Sequence, residues 1–439
     1  LNKLLIMFYY STNKQTQEVT LEEAVVKGLA KDKGLFMPKQ IKRLPDAFYH
    51  NIGEMSFQEI SFIVAEAFFG EDVEADVLKE IVYDTLNFDT PVIPVCDNIY
   101  SLELFHGPTL AFKDVGARFM ARLLGHFIKK EGKKEVNVLV ATSGDTGSAV
   151  ANGFLGVPGI HVYVLYPKGK VSEIQEKQFT TLGKNITAIE IDGTFDDCQA
   201  LVKSAFMDEE LNNAMKLTSA NSINVARFLP QAFYYFYAYA QLAKKEKAQN
   251  VVFSVPSGNF GNITAGLFAK RMGLPVKRFI AANNRNDIFL QYLNTGIYSP
   301  RPSIATIANA MDVGNPSNFA RILELYKNSH EAICKEISGY SYTDDMIREA
   351  INTLYKTSGY LLDPHGACGY QALKDSLQPE ENGVFLETAH PAKFLETVEN
   401  TIHENVKIPQ TLQTFMKGEK KSVELPSTFI PFKRFLMEQ

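Results

Sequence analysis

The 439-residue sequence has few cysteines, no tryptophan and no large excess of charge of either sign. Its 45 Lys and Arg stand against 50 Asp and Glu, and the net charge of −5 lacks the basic excess typical of proteins that bind nucleic acids or anionic membranes. The cysteines form no C-x-x-C pair, which argues against a zinc ribbon or a disulfide framework: Cys96, Cys198, Cys334 and Cys368. Scattered thiols favour a reducing compartment, so we predict a cytoplasmic protein.

The sequence also lacks an apolar run long enough to span a membrane. The aromatic run 228–243 carries no charged residue, but its sixteen residues are fewer than the roughly 20 that a span needs, and it contains Pro230. It predicts a buried aromatic helix. The apolar stretch 4–10 is not followed by a small-residue cleavage site, which favours a buried N-terminal strand over a signal peptide.

Hydrophobic residues recur at two different periods along the chain. Within 1–95 they follow helical spacing after Thr20, a candidate N-cap, and again from Phe57 to Phe68, so this region is predicted to be mixed and mainly helical. The segment 90–94 carries two prolines and is predicted to be a linker. From residue 96 onward, short β-branched runs alternate with helical segments, which predicts an α/β fold with mainly parallel sheets. These runs are 136–140, 162–165, 186–191, 251–255, 276–280 and 384–386.

A glycine-rich turn, 256–266, follows the run at 251–255 and precedes a helix. Glycines there would allow several backbone N–H groups to point into one concavity at a helix N-terminus, which suits a phosphate. The turn matches neither the nucleotide-triphosphatase pattern GxxxxGK[ST] nor GxGxxG. The alternative is a tight strand–helix turn that needs glycines for geometry alone.

Lys113 is predicted to lie in the first turn of a helix that begins near Phe112, after a strand at 100–105. The positive end of the helix dipole and partial burial both disfavour a charged amine there. A neutral lysine is a nucleophile for an aldehyde, as in Schiff-base lysines. The alternative is a lysine whose amine reaches water.

A third turn, 140–147, places hydroxyl groups and backbone donors at a predicted helix start after the run at 136–140. Such a turn suits the carboxylate of an amino acid, and the alternative is an ordinary capping turn.

Four segments in this order and spacing resemble threonine synthase. They are Phe-His-Gly-Pro-Thr-Leu-Ala-Phe-Lys-Asp at 105–114, Thr-Ser-Gly-Asp-Thr-Gly at 142–147, Pro-Ser-Gly-Asn-Phe-Gly-Asn at 256–262 and Glu-Thr-Ala-His-Pro-Ala-Lys at 387–393. The resemblance begins at the Tyr-Tyr-Ser-Thr-Asn of 9–13 and covers most of the chain. It implies a fold type II enzyme of the tryptophan-synthase-β kind, in which two α/β lobes with mainly parallel sheets surround pyridoxal 5′-phosphate.

Carried over by position, the resemblance assigns a role to each matching residue. Lys113 becomes the lysine that forms the Schiff base, and Thr388 the hydroxyl partner of the pyridine nitrogen. The cofactor phosphate is assigned to Gly258, Asn259, Phe260, Gly261 and Asn262. The substrate carboxylate is assigned to Thr142, Ser143, Asp145 and Thr146. The substrate's own phosphate is assigned to Asn221, Ser222, Asn224 and Arg227, where a forked, always charged guanidinium suits a dianion.

The resemblance also implies an organisation. We expect an N-terminal, mixed and mainly helical region at 1–95, a large cofactor-binding lobe made of 96–133 and 218–439, and a smaller, mobile lobe at 134–217. Two further segments, 309–312 and 316–319, also resemble threonine synthase, but we cannot derive a role for them. The Lys-Asp-Lys-Gly-Leu-Phe of 31–36 stands where the family often has Asp-Gly-Gly-Leu, a difference that affects loop geometry.

The implied activity is γ-elimination of phosphate from O-phospho-L-homoserine and addition of water at Cβ, which gives L-threonine in the last step of its biosynthesis. Two alternatives stay open: a related pyridoxal-phosphate lyase such as a threonine or serine dehydratase, and a non-catalytic relative that only binds. The eight histidines show no metal-ligand spacing, so no metal site is expected. We expect a small-molecule substrate, no nucleic acid or membrane partner, and no obligate protein partner.

Overall fold

The computed structural model of the chain describes residues 7–132 and 135–439. The strands are β1 (Phe8–Ser11), β2 (Val19–Thr20), β3 (Phe36–Pro38), β4 (Val92–Cys96), β5 (Ile99–Glu103), β6 (Val136–Ala141), β7 (Ile160–Pro167), β8 (Ile186–Asp192), β9 (Lys216–Ser219), β10 (Val251–Pro256), β11 (Val276–Asn283), β12 (Ile337–Ser341), β13 (Asn382–Glu387) and β14 (Val423–Pro426).

The α-helices are α1 (Leu21–Lys27), α2 (Asp46–Asn51), α3 (Phe57–Phe69), α4 (Ala75–Thr85), α5 (Lys113–Glu131), α6 (Asp145–Phe154), α7 (Glu173–Thr180), α8 (Phe195–Met207), α9 (Glu209–Ala214), α10 (Val225–Phe228), α11 (Ala232–Lys244), α12 (Gly261–Met272), α13 (Ile288–Thr295), α14 (Phe319–Leu325), α15 (His330–Glu336), α16 (Asp344–Ser358), α17 (Pro364–Ser376), α18 (Leu395–Ile402), α19 (Gln410–Met416) and α20 (Phe429–Met437). Short 3₁₀ helices occupy Ile52–Glu54, Leu229–Gln231, Asn309–Met311 and Pro391–Phe394.

The described residues form two compact units, and the first comprises Met7, Met37–Phe112 and Phe228–Lys407. Its six-stranded sheet has the order β12–β11–β10–β13–β5–β4, and every pair is parallel except β4 with β5. The prediction of a linker at 90–94 is wrong from Val92 onward, because β4 begins there. Pro94 is compatible with β4 because this strand lies at the sheet edge, where a missing N–H is tolerated.

The second unit comprises Phe8–Phe36, Lys113–Arg227 and Ile408–Gln439. Its five-stranded sheet has the order β14–β8–β7–β6–β9, with all neighbouring pairs parallel. The two large sheets confirm the prediction of an α/β fold with mainly parallel strands. The helix predicted near Phe112 is α5, and an apolar face of this helix is buried: Val115, Phe119, Leu123 and Phe127.

The observed units divide the chain differently from the predicted boundaries at 95, 134 and 217. The second unit takes in a part of the N-terminal region, because α1 packs against β9 and α5. It also takes in the C-terminal segment, because β14 pairs with β8 at the edge of the sheet. Long-range pairing of this kind has no local signature in the sequence, and the predicted lobe boundaries stay a prediction.

The predicted helices of the N-terminal region are confirmed. Thr20 caps α1 by accepting from the backbone N–H of Glu23, and α3 begins with a capping box between Ser56 and Glu59. The apolar run at 228–243 forms a 3₁₀ turn and then α11, whose residues are largely buried. The predicted N-terminal strand is β1, although residues 4–6 of the stretch lie outside the described part. Within that part, no helix combines the length and apolarity needed to cross a membrane.

Candidate active site

In the first unit, the glycine-rich turn presents a row of unused backbone donors. None of the backbone N–H groups from Gly258 to Asn262 donates a hydrogen bond to any described residue. The turn leads into α12, whose N-terminus adds the positive end of a helix dipole. Phe260 adopts the left-handed conformation, with φ of 63°, which makes the sharp entry into that helix. Successive N–H groups at a helix start form a site for an anion.

Hydrogen bonds on the protein side hold this loop. The Asn262 side chain donates to the Pro256 carbonyl at 2.7 Å, and the hydroxyl of Tyr235 donates to the Asn262 carbonyl at 2.7 Å. The Ser257 N–H donates to Ala282, on the neighbouring strand, at 2.9 Å. These bonds fix the loop backbone without using the donors of 258–262.

The two familial segments without a derived role both support this loop. A Cβ atom at Gly258 would lie 2.7 Å from the Ala310 carbonyl oxygen, so only glycine allows the close approach of segment 309–311. Farther along, the N–H of Asn318 donates to the Asn259 carbonyl at 3.2 Å, and the N–H of Ser317 donates to the Asn259 side chain at 3.2 Å. Both segments were therefore missed as parts of the site, since their role depends on tertiary contacts.

Arg321 is fully buried and contacts Asn318, one of the residues that donate to Asn259. Arg321 donates to the Asn318 side chain at 2.6 Å, and its guanidinium lies over the Phe228 ring at 4.0 Å from the centroid. Burial lowers the pKa of Arg321 to about 9. The sequence offered no signal for this residue apart from its place after the familial segment.

Thr388 lies at the carboxyl end of β13, which is the neighbour of β10 in the sheet, and it is almost fully buried. Its carbonyl accepts a 2.9 Å hydrogen bond from the N–H of Phe112. The Phe112 carbonyl in turn accepts a short hydrogen bond from the Tyr234 hydroxyl. Both backbone groups of the residue that precedes Lys113 in the chain are therefore held in place.

In the second unit, α5 begins at Lys113, as predicted, and the lysine side chain is half-buried. Arg227 donates through Nη1 to the Lys113 carbonyl at 3.0 Å and through Nε to the Ala220 carbonyl at 2.7 Å. Only glycine fits at position 116, because a Cβ there would lie 2.4 Å from the Arg227 carbonyl oxygen. Lys113 and Arg227, predicted separately, are thus brought together in space, and Arg227 is only 3% exposed.

The turn at 142–147 contains two kinds of residue. Thr142 and Asp145 are buried and organise the turn: the Thr142 hydroxyl accepts from the N–H groups of Gly144 and Gly147, and Asp145 accepts from the Gln175 side chain at 2.8 Å. Two others are half-buried, and their hydroxyls make no hydrogen bond with described residues: Ser143 and Thr146. Hydroxyl donors at a helix start suit a carboxylate, and the assignment of the substrate carboxylate to Ser143 and Thr146 stays a prediction.

The segment 221–224 is joined to this turn. The Asn221 side chain donates to the Ala141 carbonyl, directly before Thr142, at 3.0 Å. Asn224 is fully buried, and its amide donates to the carbonyls of Val25 and Ser219 while its oxygen accepts from the N–H of Ala226. These bonds make Asn224 an anchor of the segment, and its predicted contact with substrate stays a prediction. Ser222 is half-buried.

The two histidines inside the motifs have neighbours that suit a structural role. His106 lies 2.8 Å from a Glu103 carboxylate oxygen. His390 accepts from the N–H of Ala392 through Nδ1, and burial lowers its pKa to about 4, with a smaller contribution from His106. Among residues 7–132 and 135–439, no group of three or more His, Cys, Asp or Glu side chains could hold a metal ion.

Comparison with known proteins decides the family. A family model described as pyridoxal-phosphate dependent enzyme matches residues 88–388. Models of the threonine synthase N terminus and C-terminal region match 8–86 and 366–435. The threonine synthase of Escherichia coli strain K12 is 47% identical over 434 residues, covering 98% of this chain and 99% of its own length. The chain belongs to the threonine synthase family.

Solved threonine synthase structures share its fold. The crystal structure from Escherichia coli has a TM-score of 0.93 and 45% identity, and covers 98% of this chain and 100% of its own. A pyridoxal-phosphate-bound threonine synthase from Brucella melitensis has a TM-score of 0.92 and 34% identity, with coverage of 98% and 99%. The predicted fold type II architecture is confirmed.

The cofactor of this threonine synthase family member is pyridoxal phosphate. The first unit fits the phosphate of that cofactor: five consecutive N–H groups, 258–262, are unused by described residues, and no side chain is tolerated at Gly258. Thr388, which is 5% exposed and directly follows the neighbouring strand β13, carries a neutral hydroxyl.

Proposed function

We propose that this protein catalyses γ-elimination of phosphate from O-phospho-L-homoserine and β-addition of water, giving L-threonine and phosphate. The observation that carries the proposal is the position of Arg227, which donates to the carbonyl of Lys113 within the second unit. A forked cation beside the cofactor lysine suits a substrate that bears a phosphate. A dehydratase acting on free threonine or serine would have no use for that charge.

We assign three parts of the cofactor to three groups of residues. Lys113 would hold its aldehyde, the N–H groups of 258–262 its phosphate, and the Thr388 hydroxyl its pyridine nitrogen. When bound, pyridoxal phosphate acts as an electron sink that makes proton loss at Cα and Cβ of the substrate feasible. A neutral hydroxyl at Thr388 avoids the permanent protonation that a carboxylate would impose on the ring nitrogen.

The substrate is oriented by groups at its two ends. Ser143 and Thr146 would donate to its carboxylate, since their hydroxyls make no hydrogen bond with described residues. Arg227 and Ser222 would bind its phosphate and stabilise the charge that grows on the leaving group. The Lys113 amine would act as the base that removes the proton from Cα.

Product analysis tests the proposal directly. The holoenzyme is incubated with O-phospho-L-homoserine, and threonine, phosphate and ammonia are quantified together. We expect equal amounts of threonine and phosphate and no ammonia. Ammonia with a keto acid would favour a dehydratase, and no product at all would favour a protein that only binds. Lys113→Ala is the control, and threonine formation at the parent rate by this variant would refute the assignment of Lys113.

A second comparison concerns Arg227 alone. Arg227→Lys keeps the charge but not the planar fork, so we expect a KM for O-phospho-L-homoserine at least about tenfold higher, corresponding to about 1.4 kcal/mol. Arg227→Gln should raise it further. A parent-like KM in both variants would show that the guanidinium serves groups of the protein itself and not the substrate phosphate.

A further inference from the structure

Asp363 and His365 form a buried pair at the start of α17, outside every motif that the sequence singled out. Asp363 is the N-cap of the helix and is fully buried, and His365 is 2% exposed. The His365 Nδ1 lies 2.5 Å from an Asp363 carboxylate oxygen. Both residues belong to the first unit.

The other ring nitrogen of the histidine reaches segment 309–311. The N–H of Ala310 donates to His365 Nε2 at 3.1 Å. Since that nitrogen must accept, the proton of a neutral ring lies on Nδ1 and faces the Asp363 carboxylate. The carboxylate therefore fixes both the orientation and the tautomer of the ring, as carboxylate–histidine pairs do elsewhere.

The pair is linked by this bond to the phosphate loop. Ala310 is the residue whose carbonyl would lie 2.7 Å from a Cβ at Gly258, and Met311 Cα would lie 2.9 Å from it. A displacement of this segment by a few tenths of an ångström would therefore move Gly258 or open a gap beneath it.

The same carboxylate is linked to the segment after β13. Asp363 accepts from the N–H of Ala389 at 3.4 Å, and Ala389 directly follows Thr388. One buried carboxylate thus contacts the residue next to the proposed partner of the pyridine nitrogen, and through His365 the segment beneath the proposed phosphate loop.

We propose that His365 and Asp363 are positioning residues that hold the phosphate loop and the Thr388 segment in register for pyridoxal phosphate. The inference rests on the proposed assignment of 258–262 to the cofactor phosphate. The pair touches no reacting atom. Its effect is on the affinity for the cofactor and on the surroundings of the cofactor phosphate, and it acts through Ala310.

The test compares variants of His365 by cofactor titration and phosphorus NMR. His365→Leu removes both hydrogen bonds, whereas His365→Gln can place its amide oxygen where Nε2 accepts from Ala310. His330→Leu is the matched control, a half-buried histidine of the same unit beside the carbonyls of Tyr292 and Leu293. For each apoprotein, the Kd for pyridoxal phosphate, the phosphorus chemical shift of the bound cofactor and the unfolding midpoint are measured.

We expect about tenfold weaker cofactor binding and a displaced phosphorus resonance for His365→Leu, because a buried N–H loses its acceptor. His365→Gln should bind within about threefold of the parent, and His330→Leu like the parent. If His365→Leu does not fold, His365→Asn replaces it: the shorter amide cannot reach Ala310, so its Kd should exceed that of His365→Gln. Equal Kd values for the two amide variants would overturn the proposal.

Gly258→Ala separates this inference from the function on which it rests. If Gly258→Ala weakens cofactor binding while His365→Leu leaves both the Kd and the phosphorus resonance unchanged, the positioning role is refuted and the loop assignment stands. If neither substitution changes the Kd, the loop does not hold the cofactor phosphate, and both proposals fall.

Discussion

Gly144 allows a test of the turn at 142–147, to which we assign the substrate carboxylate, because its backbone conformation and its surroundings both require glycine. It caps α6 with φ of 144° and ψ of −87°, a region that other residues rarely adopt. A Cβ atom there would lie 2.6 Å from the amide carbon and nitrogen of the Gln175 side chain. Gly144→Ala therefore strains the turn and displaces a buried amide.

The free-energy cost of Gly144→Ala has two parts, the backbone strain and a lost hydrogen bond. The backbone conformation alone costs on the order of 1–3 kcal/mol for alanine. Displacing Gln175 breaks its 2.8 Å hydrogen bond to Asp145, a further loss of about 1 kcal/mol. A turn that relaxes to avoid this cost shifts Ser143 and Thr146 from their positions at the helix start.

The assay is steady-state release of phosphate from O-phospho-L-homoserine, together with the Kd for pyridoxal phosphate. We expect the KM of Gly144→Ala to rise about 10- to 100-fold, equivalent to about 1.4–2.8 kcal/mol, while the cofactor Kd stays at the parent value. Gly125→Ala is the matched control: position 125 lies inside α5, and among the described residues a Cβ there would have Val157 Cγ1, at 3.2 Å, as its one close neighbour outside the backbone of its own helix.

A double variant separates the two causes. Gly144→Ala with Gln175→Ala removes the overlap but keeps the backbone strain, so only part of the KM increase should be recovered. A KM within twofold of the parent for Gly144→Ala, with a lowered unfolding midpoint, would refute the reasoning. It would show that the turn matters for stability and not for the substrate.

Three further predictions concern stability. Lys33 has φ of 66° where the family often has glycine, so Lys33→Gly should raise the free energy of unfolding by up to about 1 kcal/mol in urea titration; an unchanged midpoint would contradict this. His390 has its pKa lowered to about 4 by burial, so the unfolded state binds more protons between about pH 4 and 6.5. Its contribution, about 3 kcal/mol, is complete above pH 6.5 and is lost as the pH falls towards 4. As the pH falls from 6.5 towards 4, the unfolding free energy of the parent should decrease relative to that of His390→Asn. A difference between the two that stays constant with pH would refute the lowered pKa of His390. Lys420 pairs with Glu190, which is 5% exposed, at 3.0 Å. Lys420→Met should cost about 1–2 kcal/mol by leaving that carboxylate without its cation, whereas Lys421→Met should cost almost nothing.

Much of the fold was predictable because its signals are local. The capping residues of α1 and α3 and the short β-branched runs each depend on neighbours within a few positions. Strand β4 was missed because its local signal is misleading: Pro91 and Pro94 indicated a linker. Pro94 is compatible with a strand because β4 lies at the sheet edge beside β5, and that position is set only in the folded sheet. The observed units differ from the predicted lobes in part because β14 pairs with β8 across more than two hundred residues of chain.

The sequence motifs singled out the candidate site residues, but they did not predict the hydrogen bonds that each of these residues makes. The sequence does not show that the Thr142 hydroxyl accepts from two backbone N–H groups of the turn 142–147. Nor does it show that the Ser143 hydroxyl makes no hydrogen bond with described residues. Nor can it tell that Asn224 donates to Val25, two hundred positions earlier. Hydrogen-bond partners so distant in sequence are fixed only when the chain is folded.

Residue types at fixed local spacing were enough to indicate the family and the glycine-rich turn before α12, and to single out Lys113 as the candidate Schiff-base lysine. Only the folded chain shows that Arg227 donates to the Lys113 carbonyl, that Ala310 and Asn318 contact the loop at 258–262, and that His365 accepts from Ala310. The physical reason is that a buried polar group must find a partner wherever the packed chain provides one, and sequence distance does not limit that choice.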